Sequence, residues 1–209
     1  MAERKRSNYE AMKERAAALF LQFEQEKMIR RFGLNHDERY LFLSFVGRSY
    51  RIHRETGAIS WSQDAFQTEE PAGYNEAMTI YDVLCHAKEG CRLAHQWVNV
   101  GSISAIQGGA LAKGGGFFQN AGEEFAGKGT ALARACEVLG GRKRERGDVA
   151  YELDLFPFLS ISLCFWEADE EFSPSLQILV DKNTLDYMHY ETLMFAITHL
   201  LSRLREECG

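Results

Sequence analysis

The run Leu159-Ser-Ile-Ser-Leu-Cys-Phe-Trp166 constrains the chain more than any other segment. An apolar strand of this length needs cover on both faces, so it belongs at the centre of a sheet. Just before it, residues 149–155 alternate. Tyr151, Leu153 and Leu155 fall on one face, and Glu152 and Asp154 on the other, which is the period of a half-exposed strand. Pro157 confines that strand to an edge or an end. A turn over 167–174 leads to a further strand at 176–180. A closing helix over about 189–205 buries Leu193, Ala196, Ile197, Leu200, Leu201 and Leu204.

The front of the chain mixes helix and strand in the same way. Tyr9, Met12, Ala16, Leu19, Phe20 and Phe23 recur at three- and four-residue steps, predicting one amphipathic helix over 7–31. Ser7 and Glu10 form a capping-box pattern at its start, and Gly33 stops it. Strand-like runs at 40–46, 49–53 and 58–61 are joined by tight turns at Gly47 and Glu55-Thr56-Gly57. Parallel pairing would need crossovers of about a dozen residues, so these strands read as an antiparallel meander. A second helix is expected at about 74–89, an extended piece at 97–100, and a helical region at about 117–139 broken near Gly127 and Gly129. The expected fold class is α+β, a single domain over 1–209 of mainly antiparallel strands with helices packed on them.

Charge divides the chain unevenly. Residues 1–147 hold 21 basic and 18 acidic side chains, whereas residues 148–209 hold 3 and 12. The near-neutral helix-and-meander part is thus joined to an acidic strand-strand-strand-helix part. An acidic surface opposes phosphate neutralisation, so a nucleic-acid partner is not expected. No window approaches 18 uninterrupted apolar residues, and residues 1–6 carry charge with no apolar run behind them. Neither a membrane span nor a secretory signal is expected. With five cysteines, an odd number without paired spacing, the thiols are expected to be reduced and the location cytoplasmic.

Several catalytic motifs are absent. The glycine-rich segment Gln107 to Gly116 contains Lys113 but lacks the order Gly-x4-Gly-Lys-Ser/Thr, which excludes a Walker phosphate loop. It reads either as a flexible loop or as a lid in which Lys113 meets an anionic ligand. There is no G-x-S-x-G elbow and no H-E-x-x-H. His189, Glu191 and His199 have offsets that do not make a ligand pair. Cys85, His86, Cys91 and His95 form C-H-x4-C-x3-H, but Gly90 interrupts the helix between them. Packed cysteines and surface histidines are the simpler reading.

Sharper is the acidic turn Trp166-Glu-Ala-Asp-Glu-Glu-Phe172, followed by Asp181, Asp186 and Glu191. Hard cations such as calcium or magnesium favour such oxygen ligands, although EF-hand spacing is missing. Asp169, Glu171 and Asp181 are the metal candidates. Trp166, Asp169, Glu170, Glu171, Asp181 and Lys113 are the wider ligand-binding candidates. The competing reading is a solvated turn whose charges protect a strand edge, with Glu191 placed favourably at a helix N-terminus. A hairpin would also put Asp169 and Asp181 at opposite ends. No catalytic residue and no cofactor is assigned.

From Leu155-Phe-Pro157 through Trp166-x-x-Asp-Glu-Glu-Phe172, Ile178-Leu-Val-Asp181, Asp186-Tyr187 and Glu191, the chain resembles a bacterial and archaeal family designated a domain of unknown function. The helix at 81–87, Trp97-Val98 and Gly108-Gly109 agree in order, so the resemblance covers most of the chain. It departs at Val180, where the family tends to phenylalanine, and at Met188-His189, where it has Leu-Pro. The resemblance implies an origin mostly in anaerobes. It also implies an association with an iron–sulfur module of corrinoid-dependent one-carbon proteins, whose four-cysteine pattern this chain lacks. Three functions follow as expectations: a ligand-, cofactor- or metal-binding accessory domain, a domain docking a basic partner through its acidic third, and a metal-assisted hydrolase.

Overall fold

The computed structural model describes residues 8–103 and 121–209. The chain is α+β and forms two compact units: 1–91 with 186–199, and 92–185 with 200–209. Both sheets are antiparallel throughout. The change in charge at 147/148 falls within the residues of the second unit.

In the first unit, helices α1 (Asn8–Phe20) and α2 (Gln25–Phe32) precede a five-stranded meander. Its strands are β1 (Asn35–His36), β2 (Tyr40–Phe45), β3 (Arg48–His53), β4 (Ile59–Ser62) and β5 (Glu70–Pro71), in spatial order β1-β2-β3-β4-β5. Helix α3 (Tyr74–His86) follows. The single helix expected over 7–31 is two helices. Gln22 N–H donates to Leu19 O and Phe23 N–H to Phe20 O, which tightens the last turn of α1. Phe20 is then fully buried, and the Phe23 ring stands nearly perpendicular to that of His86, their centres 5.3 Å apart. Apolar period alone does not encode such a break. Gly33, in the left-handed region at φ +61°, ends α2 where expected.

In the second unit, β6 (Trp97–Asn99), β7 (Arg142–Lys143), β8 (Val149–Phe156), β9 (Leu159–Trp166) and β10 (Ser175–Asp181) form one sheet in order β6-β10-β9-β8-β7. The apolar run is therefore the central strand, and Ile161, Leu163 and Phe165 have no exposed surface. Helices α4 (Ala121–Glu124) and α5 (Gly129–Val138) belong to this unit. The predicted stripe is buried, with Leu132 and Cys136 on α5 and Leu139 just past its end. Helix α6 (Tyr190–Cys208) is continuous in both units. Leu193, Ala196 and Ile197 enter the first core, and Leu200, Leu201 and Leu204 the second. Among the described residues no helix is long and apolar enough to cross a membrane.

Candidate functional site

The β9–β10 hairpin brings the acidic turn to one end of the second sheet, where Trp166 pairs with Ser175. At its tip, Asp169 Oδ1 accepts hydrogen bonds from the Glu171 and Phe172 N–H groups, both at 2.8 Å. The Asp169 N–H donates to Phe172 O at 3.0 Å. Aspartate is suited to this task because its short side chain caps its own turn. Phe172 is left 69% exposed. Glu170 and Glu171 are also exposed, and their carboxylates have no partner among the described residues.

Glu167 has another role. Its Oε2 accepts from Gly127 N–H at 2.8 Å and its Oε1 from Gly129 N–H at 3.0 Å. It satisfies backbone donors at the start of α5, where negative charge is also favoured by the helix dipole. Gly129 permits this approach, since a Cβ there would lie 2.9 Å from Glu167 Oε1. The backbone N–H of Glu167 donates in turn to Asp148 Oδ2 at 2.8 Å, and the Asp148 N–H donates to Phe165 O at 2.9 Å. Gly147, at φ +68°, makes the turn that places Asp148 there.

These elements enclose an open cleft of about 590 Å³, lined by Asp148, Trp166, Glu167, Asp169, Phe172 and Ser173 among others. Two aromatic side chains and three carboxylates thus share one concavity. The Arg146 guanidinium lies 5.9 Å from the centre of the Trp166 ring, a cation over the electron-rich face of an indole. Such a site suits an organic cation, which an aromatic face and an oxygen acceptor can hold together.

Asp181 is not part of this cleft. It closes β10 at the end away from Ser175, six residues or about 20 Å along the strand. It is 4% exposed, and its Oδ1 accepts from Ala94 N–H at 2.9 Å and Asn183 N–H at 2.8 Å. Asp169 and Asp181 therefore do not converge, as a hairpin dictates. Among the described residues no three of His, Cys, Asp and Glu come together to hold a metal ion. Lys113 and the glycine-rich segment 107–116 lie outside the described residues. Asp186 pairs with Lys88 at 2.6 Å, and Glu191 stands in the first turn of α6.

The first unit holds a buried polar cluster around Glu76 that no sequence motif marks. Glu76 caps α3 through the Gly73 N–H and also accepts a hydrogen bond from the Tyr50 hydroxyl. Arg48 lies 3.4 Å and His199 3.6 Å from the same carboxylate. Burial, reinforced by the Glu76 charge, pushes the Tyr50 hydroxyl far above the ordinary tyrosine range. The only trace in the sequence is Gly73 with Glu76 three residues on, a capping pattern without a hydroxyl-bearing cap. His199, stacked at 5.0 Å on Phe45, is a buried histidine with satisfied contacts. His189 pairs with Asp82, its Nδ1 2.6 Å from Oδ1. The five cysteines are free thiols, with Cys85 and Cys136 each pushed up to about 12 by burial.

A family model described as a domain of unknown function, DUF3786, matches residues 24–203. No curated protein and no solved structure matches the chain.

Proposed function

Since the chain belongs to the DUF3786 family, which carries no assigned activity, the site must supply the function, and we propose a binding module that captures an organic cation at the β9–β10 turn. The observation that carries this reading is the cleft itself: Trp166 and Phe172 beside the carboxylates of Asp148, Glu167 and Asp169. Aromatic faces bind cations with about 0.5–2 kcal/mol each. Asp148 Oδ1 and Asp169 Oδ2 accept no hydrogen bond from any described residue, so each keeps an oxygen for a ligand. Arg146 over Trp166 occupies this ring as a guanidinium of the chain's own.

The site lies at the surface and Phe172 is exposed, which supports a basic side chain on a partner protein as one source of that cation. A free amine or guanidine metabolite is the other. Free thiols throughout support residence in a reducing compartment such as the cytoplasm. A metal-assisted hydrolase at the acidic turn gains no support, because no histidine is among the described residues that line the cleft.

Thermal-shift measurements with N-acetyl-arginine amide, spermidine, calcium and magnesium test the proposal. The organic cations are expected to raise the melting temperature of the native chain but not of Trp166→Ala, and the metal ions to leave both unchanged. Stabilisation by calcium or magnesium alone, or equal stabilisation of Trp166→Ala, would overturn it. Weakening in high salt with a basic peptide but not with the small cations would identify the partner protein as the source.

A further inference from the structure

We propose that His86 and His189 form a surface site for a late first-row divalent metal ion of the zinc type, with Asp82 as the residue that positions His189. The site lies in the first unit and is independent of the cleft.

Asp82 and His86 are one turn apart on α3, so they share a face of the helix. The chain entering α6 brings His189 against that face. Asp82 holds it at two points: Oδ2 accepts the His189 backbone N–H at 2.8 Å, and Oδ1 lies 2.6 Å from the ring Nδ1. A carboxylate can only accept, so Nδ1 carries the hydrogen and the lone pair resides on Nε2. The Asp82 side chain is 10% exposed and that of His189 is 68% exposed. The ring is therefore held by its inner nitrogen and offers its outer one to solvent. A buried carboxylate behind an imidazole fixes tautomer and orientation in this way for metal-binding histidines.

A second imidazole stands beside it. The His86 ring centre is 5.4 Å from that of His189, with the planes 66° apart, and 5.3 Å from that of Phe23, the two rings nearly perpendicular. With metal–nitrogen bonds of about 2.0–2.1 Å, two imidazoles on one tetrahedral ion have centres about 5 Å apart. A small rotation of the exposed His86 closes the difference. Imidazole nitrogens prefer zinc, copper and nickel to magnesium or calcium. Among the described residues no further His, Cys, Asp or Glu completes the set, so water or an incoming ligand takes the remaining positions.

Titration of the full chain with zinc chloride in a calorimeter tests the site. One zinc ion is expected per chain, with at least tenfold weaker binding for His86→Ala and for His189→Ala, each checked to be folded by its circular dichroism spectrum. Asp82→Asn, which leaves both imidazoles in place, is expected to weaken binding by about 10–100-fold. Cobalt substituted for zinc should show ligand-field bands of a nitrogen-bound ion without thiolate charge transfer. Absence of zinc binding to the native chain, affinity unchanged in both histidine variants, or a thiolate–cobalt band would each overturn the proposal.

Discussion

Glu167 ends the central strand and commits both carboxylate oxygens to N–H groups of Gly127 and Gly129 at the start of another element. Its neighbour Asp169 spends one oxygen on its own turn. The sequence shows four acids in five residues and cannot show which of them the backbone claims, because that depends on the return of α5 to the hairpin. Glu167→Ala is expected to cost about 1–2 kcal/mol, as loss of a helix cap does, read from chemical denaturation. A loss under a few tenths of a kcal/mol would remove its structural role. Asp64 offers a second test at this scale. It accepts hydrogen bonds from Thr68 and Ser62 in a turn where Ala65 and Phe66 both have positive φ. Those bonds, Thr68 first, hold its carboxyl at about 2 against an ordinary 3.8. Because the folded value is depressed, its contribution to stability is present above pH 4 and disappears as pH falls toward 2. Asp64→Asn should flatten the pH dependence of unfolding in that window. An unaltered profile would contradict the assignment.

At the scale of elements, strands were legible wherever one period dominated. The alternation in β8 and the continuous run in β9 each define burial directly, and both strands lie where those patterns put them. The stripe of α6 was equally plain, since Leu193 to Leu204 keep one helical face throughout. The α1–α2 break was not legible, because no glycine or proline marks it and Phe23 leaves the stripe only to meet His86. Turns that shape the cleft rest on backbone geometry. Gly147 sits at φ +68°, and a Cβ there would lie 2.7 Å from Phe165 O and 3.1 Å from the Trp166 ring. Gly147→Ala is therefore expected to destabilise the protein by about 1–3 kcal/mol and to disturb Trp166, visible as a shift in its fluorescence. A fully native spectrum and stability would mean that the turn is not under this constraint.

For the whole molecule, the distribution of charge along the sequence picked out the acidic hairpin but not the architecture around it. The two units interleave along the chain, and α6 contributes residues to both. Sequence order cannot reveal such interleaving when no linker of distinct composition separates the parts. The same limit explains the metal candidates. Asp169, Glu171 and Asp181 are near in sequence, yet a strand keeps Asp181 remote from the other two. It explains equally why His86 and His189, about a hundred residues apart, went unpaired in the sequence reading. What remains at the hairpin end is an aromatic and anionic cleft, which we propose binds an organic cation. Calorimetric titration of the full chain with an arginine-bearing peptide, at low salt, tests that claim most directly. Saturable one-to-one binding is expected, weakened at least tenfold by Trp166→Ala. Binding of equal strength in that variant, or no heat in the native chain, would contradict it.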